Sequence, residues 1–71
     1  MGDKMQREAD RLLAQIVRTD SMIIAAKAGA RAEGFVYGLE SARALTESTI
    51  DKLYVIFDNA TENRLRELAS A

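Results

Sequence analysis

No proline occurs anywhere in the 71 residues. Nothing in the covalent chain therefore forces a helix to stop, and helix ends must be set by caps and by hydrophobic spacing. That spacing is helical almost throughout. Met5, Ala9, Leu12, Leu13 and Ile16 recur at three- and four-residue intervals, which predicts an amphipathic helix over about 3–18. Asp3 and Arg7 add a favourable i,i+4 pair near the helix start. β-Branched runs are short and never alternate cleanly, so strands are not expected.

Thr19-Asp20-Ser21 follows, and Asp20 or Ser21 is a good N-cap. Ile23 stays in phase with Met5 and Ile16, so one continuous helix remains an alternative; a break is the preferred reading. The second helix is expected over about 21–45, with Ile24, Ala28, Phe35, Leu39 and Ala42 sharing a face. Thr46 caps a third helix over about 47–68, whose stripe is Ile50, Leu53, Tyr54, Phe57, Ala60, Leu65 and Leu68. Glu62 and Arg66 support it as an i,i+4 pair. The expected fold is a single all-α domain over 1–71, with two or three helices in a hairpin or bundle.

Size bears on how such a bundle is stabilised. A core this small supplies only ~3–5 kcal/mol. With no Cys and no His, disulfides and the common zinc sites are excluded, as are thiol nucleophiles and imidazole-based triads. Homo-oligomerisation is then the expected way to complete the fold. Ten Lys and Arg against eleven Asp and Glu do not describe a direct nucleic-acid binder, which is normally basic. The polar N-terminal residues lack the apolar core of a signal peptide, and no run approaches the ~20 apolar residues of a membrane span. A cytoplasmic location is the expectation.

The second helix carries the most informative pattern. Gly29, Gly34 and Gly38 lie in its interior, each costing up to ~1 kcal/mol relative to Ala. Ala30, Gly34, Gly38 and Ala42 stand four apart, forming the i±4 ridge that lets two helices cross closely near -50°. The expected use is a tight crossing, within the chain or across a dimer axis. Lys27 and Arg31 fall in the same strip, with Tyr37 on its flank. Glycines admit a close ligand, cations hold phosphate or carboxylate, and an aromatic ring stacks. Lys27, Arg31, Gly34, Tyr37 and Gly38 are therefore candidate ligand-binding residues. Arg64 joins them, because Arg31 and Arg64 each fall within an apolar stripe and need a partner. Glu33, Glu40, Asp58 and Glu67 are the carboxylates in reach; an anion is the other option.

Glu47 and Asp51 are i,i+4, but two carboxylates fall short of the six or more oxygens that a hard cation takes. No metal site and no cofactor is expected. No nucleophile elbow or phosphate-binding loop is present, so an enzyme is not expected.

Residues 54–68, with Phe57-Asp58-Asn59-Ala60-Thr61-Glu62-Asn63-Arg64-Leu65-Arg66-Glu67-Leu68, resemble a stretch of the Hha/YmoA nucleoid-modulating family over about a dozen positions. The preceding half of the chain does not share the likeness. The resemblance implies a nucleoid-associated accessory role. Short cysteine-free helical chains with a Gly-aromatic-x-x-Gly pattern also look like small phage products, which act on a host protein or sequester a nucleotide messenger. The leading expectation is a homo-oligomer that binds a protein partner, as a phage-type inhibitor or adaptor. The alternative is an oligomeric binder of an anionic nucleotide at a subunit interface.

Overall fold

A computed structural model describes residues 2–70 as three α-helices: α1 (Asp3–Arg18), α2 (Met22–Ser41) and α3 (Glu47–Ser70). The long axis of the molecule is 39 Å, the length expected of the 24-residue α3 at ~1.5 Å per residue. The α2–α3 pairing is the most extensive, and α1 packs against both.

The break after α1 is real and has identifiable causes. Thr19 leaves the helix in extended geometry (φ -71°, ψ 144°). Ser21 then caps α2, its Oγ accepting from the Ile24 amide at 3.2 Å. Thr46 starts α3 in the same way, accepting from the Thr49 amide at 3.3 Å. α3 runs past the expected 68 to Ser70, while α1 has the expected bounds.

α2 ends earlier than expected, at Ser41 instead of about 45. Ala42-Arg43-Ala44 contains no residue that disfavours helix, so local propensity gives no stop signal. The stop is a Schellman turn. The Ala44 amide donates to the Leu39 carbonyl and the Arg43 amide to that of Glu40, each at 3.0 Å. Arg43 takes the left-handed position at φ 54°, which costs a non-glycine residue roughly 1–2 kcal/mol. Leu45, freed from the helix, packs on the core. Arg43→Gly should stabilise the chain by about 0.5–1 kcal/mol, the relief of strain offset in part by a freer unfolded chain. Urea denaturation should show a higher midpoint with an unchanged slope.

The core joins Leu12 and Ile16 of α1 to Ile50, Leu53 and Phe57 of α3, around a thin α2 inner face of Ala28, Ala32 and Val36. This corrects the expected face of α2. Ile24 is exposed, and Phe35 and Leu39 only border the core. Small side chains face inward because α1 and α3 must both come close to α2. Closest of all is Gly29, where a Cβ would lie 2.5 Å from Thr61 Oγ1 and 2.7 Å from Thr61 Cγ2. Here the backbone approach requires glycine.

Candidate functional site

Counting ~100° per residue around α2, Ile23, Ala30 and Gly34 lie opposite the inner face. All three are exposed. Gly34 and Gly38 meet no atom within 4 Å of an added Cβ. The small-residue ridge is therefore not used in any crossing within the chain, and Gly29 alone serves that purpose. The ridge is also shorter than expected, because Ala42 is the C-cap and not a helical residue. Ala30, Gly34 and Gly38 remain as an open strip.

The size distribution on α2 is inverted. Its inward residues are mostly Ala and Gly, while Ile23 is 68%, Ile24 54% and Tyr37 66% exposed. A helix with apolar residues on all sides is usually enclosed on all sides. Here one side faces solvent; Met22 at the start of α2 and Val17 near the end of α1 are exposed as well.

Charge divides the two flanks of this strip. Lys27 and Arg31 lie on the flank toward α1, both exposed and without an ion-pair partner among the described residues. The opposite flank borders a groove of about 290 Å³ between α2 and α3, lined by Ala26, Ala30, Glu33, Asp58, Glu62 and Leu65. No cation pairs with its three carboxylates among the described residues. Asp58 faces Glu33 across the groove. Hydrogen bonding toward Asp58 first, then like-charge repulsion from it and slight burial, favours the protonated form of Glu33 and raises its pKa above the usual carboxylate value. Further along, the Tyr54 hydroxyl donates to Glu40 Oε1 at 3.1 Å. Partial burial first, then this bond and the nearby negative charge, push the Tyr54 pKa up.

The structure thus brings Lys27, Arg31, Gly34, Tyr37 and Gly38 onto one exposed helix surface and leaves Arg64 out of it. Arg31 does not sit within the core-facing stripe, as its spacing had implied. Arg64 serves the α1–α2 turn instead: its Nε donates to the Thr19 carbonyl at 2.9 Å, and its two terminal nitrogens lie 3.5 Å from Asp20 and 3.6 Å from Glu67. Of the carboxylates expected to pair with it, only Glu67 does so; Asp20 and the main-chain oxygen lie 44 and 45 residues away in sequence. Arg64→Ala should cost about 1–2 kcal/mol, because a charge-assisted bond to a helix-terminal carbonyl is lost at a side chain 20% exposed. Arg66→Ala, which loses one exposed bond to Asn63, should change stability by no more than ~0.5 kcal/mol. Thermal denaturation of both variants measures the difference.

The expected helical ion pairs also shift. Arg11 pairs with Glu8 on α1, and neither Asp3–Arg7 nor Glu62–Arg66 forms. The exposed Glu8 contact raises the Arg11 pKa, chiefly through the hydrogen bond and then through charge.

Glu33 and Asp58 were expected as partners of Arg31 or Arg64, and Glu62 as the partner of Arg66; their meeting in one groove was not legible, since it depends on how α2 and α3 pack. Two further clefts, of about 340 and 390 Å³, lie along Asp51, Lys52, Val55 and Ile56 and beside Arg43, Leu45 and Glu47. Neither is lined by the Lys27–Arg31 strip. Among the described residues no group of three His, Cys, Asp or Glu side chains is placed to hold a metal ion. No described helix is long and apolar enough to cross a membrane.

These features define a three-helix bundle in which the outer face of α2 is uncovered, as are Val55 and Ile56 on α3. No family model, curated protein or solved structure matches the chain. The likeness of residues 54–68 to nucleoid modulators gains no support from them. In the bundle, Phe57 of that segment is core and Arg64 is a turn clamp.

Proposed function

We propose that the chain is a non-enzymatic helical binding module whose working surface is the outer face of α2. The observation that carries this is the inverted α2: small residues inside, Ile23, Ile24 and Tyr37 outside, and an open Ala30-Gly34-Gly38 strip between the charged flanks. Such a strip favours another helix, because a second backbone fits against Cβ-free positions and buries the neighbouring large side chains. A nucleotide is less well served. Lys27, Arg31 and Tyr37 sit on a convex helix surface, and a small-molecule site needs concavity.

Site-specific photo-crosslinking in cells tests the reading, with benzoylphenylalanine at position 37 and, as a control, at Asp10 on the exposed side of α1. Position 37 should give discrete protein adducts that disappear when Gly34→Leu is added. Adducts no stronger than those from position 10, or adducts indifferent to Gly34→Leu, would refute the assignment of the surface.

A further inference from the structure

We infer that the occupant of the α2 outer face is a second copy of this chain, docked in parallel about a two-fold axis along α2, so that Lys27 and Arg31 of each protomer meet the partner's Glu33–Asp58–Glu62 groove. The inference rests on the outer face of α2 being the working surface, and it adds the partner and its orientation.

Among the described residues, each protomer presents two cations without an ion-pair partner on one flank of the strip and three carboxylates without a cation on the other. Glu33 stands on α2 near the height of Lys27 and Arg31, and Asp58 and Glu62 face it from α3 across the groove. Lys27 and Arg31 alternate in sequence with the groove residues Ala26, Gly29, Ala30 and Glu33. A two-fold axis parallel to the helix turns one protomer's cationic flank toward its partner's acidic flank, and does so twice. Arg31 is then offset from the partner's Glu33 by two residues, roughly 3 Å of helix rise. An antiparallel pair would set like flank against like flank, bringing four cations together on one side and the carboxylates together on the other.

The strip between the flanks suits this contact. With no Cβ at positions 34 and 38 and none crowded there by the chain itself, two α2 backbones can approach at the short distance of ridge-in-groove packing. Tyr37 and Ile23 border the contact and lose water on docking. A stable interface takes ~600 Å² or more from each partner. That is roughly an eighth of the 4906 Å² that the chain exposes, and a 20-residue helix face with its two flanks is of that order.

The chain has no cysteine, so single-cysteine variants report proximity without interference. Ala30→Cys, Gly34→Cys and Gly38→Cys should each form a disulfide-linked dimer on mild oxidation, because a parallel two-fold sets every ridge position beside its own copy. Ser48→Cys, exposed at the start of α3, is the control and should not. Arg31→Glu should weaken association about tenfold or more, and Arg31→Glu combined with Glu33→Arg should recover most of the loss. Linkage at one ridge position alone would overturn the parallel orientation. Charge exchange without recovery would overturn the flank pairing. No linkage above the Ser48→Cys control would overturn the second copy altogether. If position 37 still crosslinked to another protein in that case, the working surface would stand and only its occupant would be wrong.

Discussion

Phe57→Ala should leave the chain largely unfolded at 25 °C. Phe57 is 1% exposed and is the largest of the fully buried side chains. It lies in the cluster that holds Leu12 and Ile16 of α1, Val36 of α2 and Leu53 of α3. Removing a buried phenylalanine costs ~3–5 kcal/mol in transfer and cavity terms. A single core of this size supplies about the same amount, so the loss is comparable to the whole stability. Far-UV circular dichroism reads the result directly as loss of most of the helical signal. Phe57→Leu keeps most of the volume and should remain folded with a lower melting temperature. Retention of full helicity and of a cooperative transition by Phe57→Ala would mean that the core does not centre on this residue.

The glycines give the second large effect, through a contrast in sign. Gly29→Leu should destabilise by ~3 kcal/mol or more, because even its first added atom meets Thr61 at 2.5 Å and the remaining atoms must push α2 off α3. Gly29→Ala should cost ~1–2 kcal/mol, since a gain of up to ~1 kcal/mol in helix propensity offsets part of the overpacking. Thr61→Ala should rescue it in part: Oγ1 and Cγ2 are the atoms in the way, and Thr61 Cβ lies farther off at 3.2 Å. Gly34→Ala and Gly38→Ala meet open space within the chain. Each should add up to ~1 kcal/mol to the stability of the isolated protomer. Denaturant titration of the four single variants and the double variant, at concentrations low enough to keep the protomers apart, gives these signs. Equal effects at positions 29 and 34 would contradict the α2–α3 packing.

The same glycines show what the sequence could and could not reveal. Three interior glycines in one helix announce close approach, but local spacing does not say which of them opposes Thr61 and which faces water. α1 was legible to its ends because its apolar and charged residues separate cleanly. α2 was not, because its apolar residues occur on every side. Ile24, Phe35 and Leu39 form as good a stripe as Ala25, Ala28 and Ala32, and only the need to admit both neighbours selects the thin face. Its end was hidden for a related reason. Arg43 occupies a position that usually signals itself with glycine, and the Schellman turn is held by the return of α3 and the docking of Leu45.

The candidate surface divides in the same way. Lys27, Arg31, Gly34, Tyr37 and Gly38 share one helix, so helical spacing alone was enough to group them. Arg64 joined them on the strength of a charge in an apolar stripe. Beside the expected Glu67, its partners are a carbonyl 45 residues away and Asp20, and nothing in the stripe encodes those two. The groove carboxylates come from two helices and become a group only when Glu33 is packed beside Asp58.

Sedimentation equilibrium of the wild-type chain and of Gly34→Leu is the most direct measurement of whether the uncovered face of α2 joins two protomers. The wild type should approach twice its 7.8 kDa mass as concentration rises. Gly34→Leu should stay at 7.8 kDa with its helical content intact, because position 34 is exposed and an added Cβ there meets nothing in its own chain. A wild type that remains monomeric up to about 1 mM, where even an association of ~-4 kcal/mol is populated, would contradict the docking of a second copy. So would a Gly34→Leu variant that keeps the doubled mass.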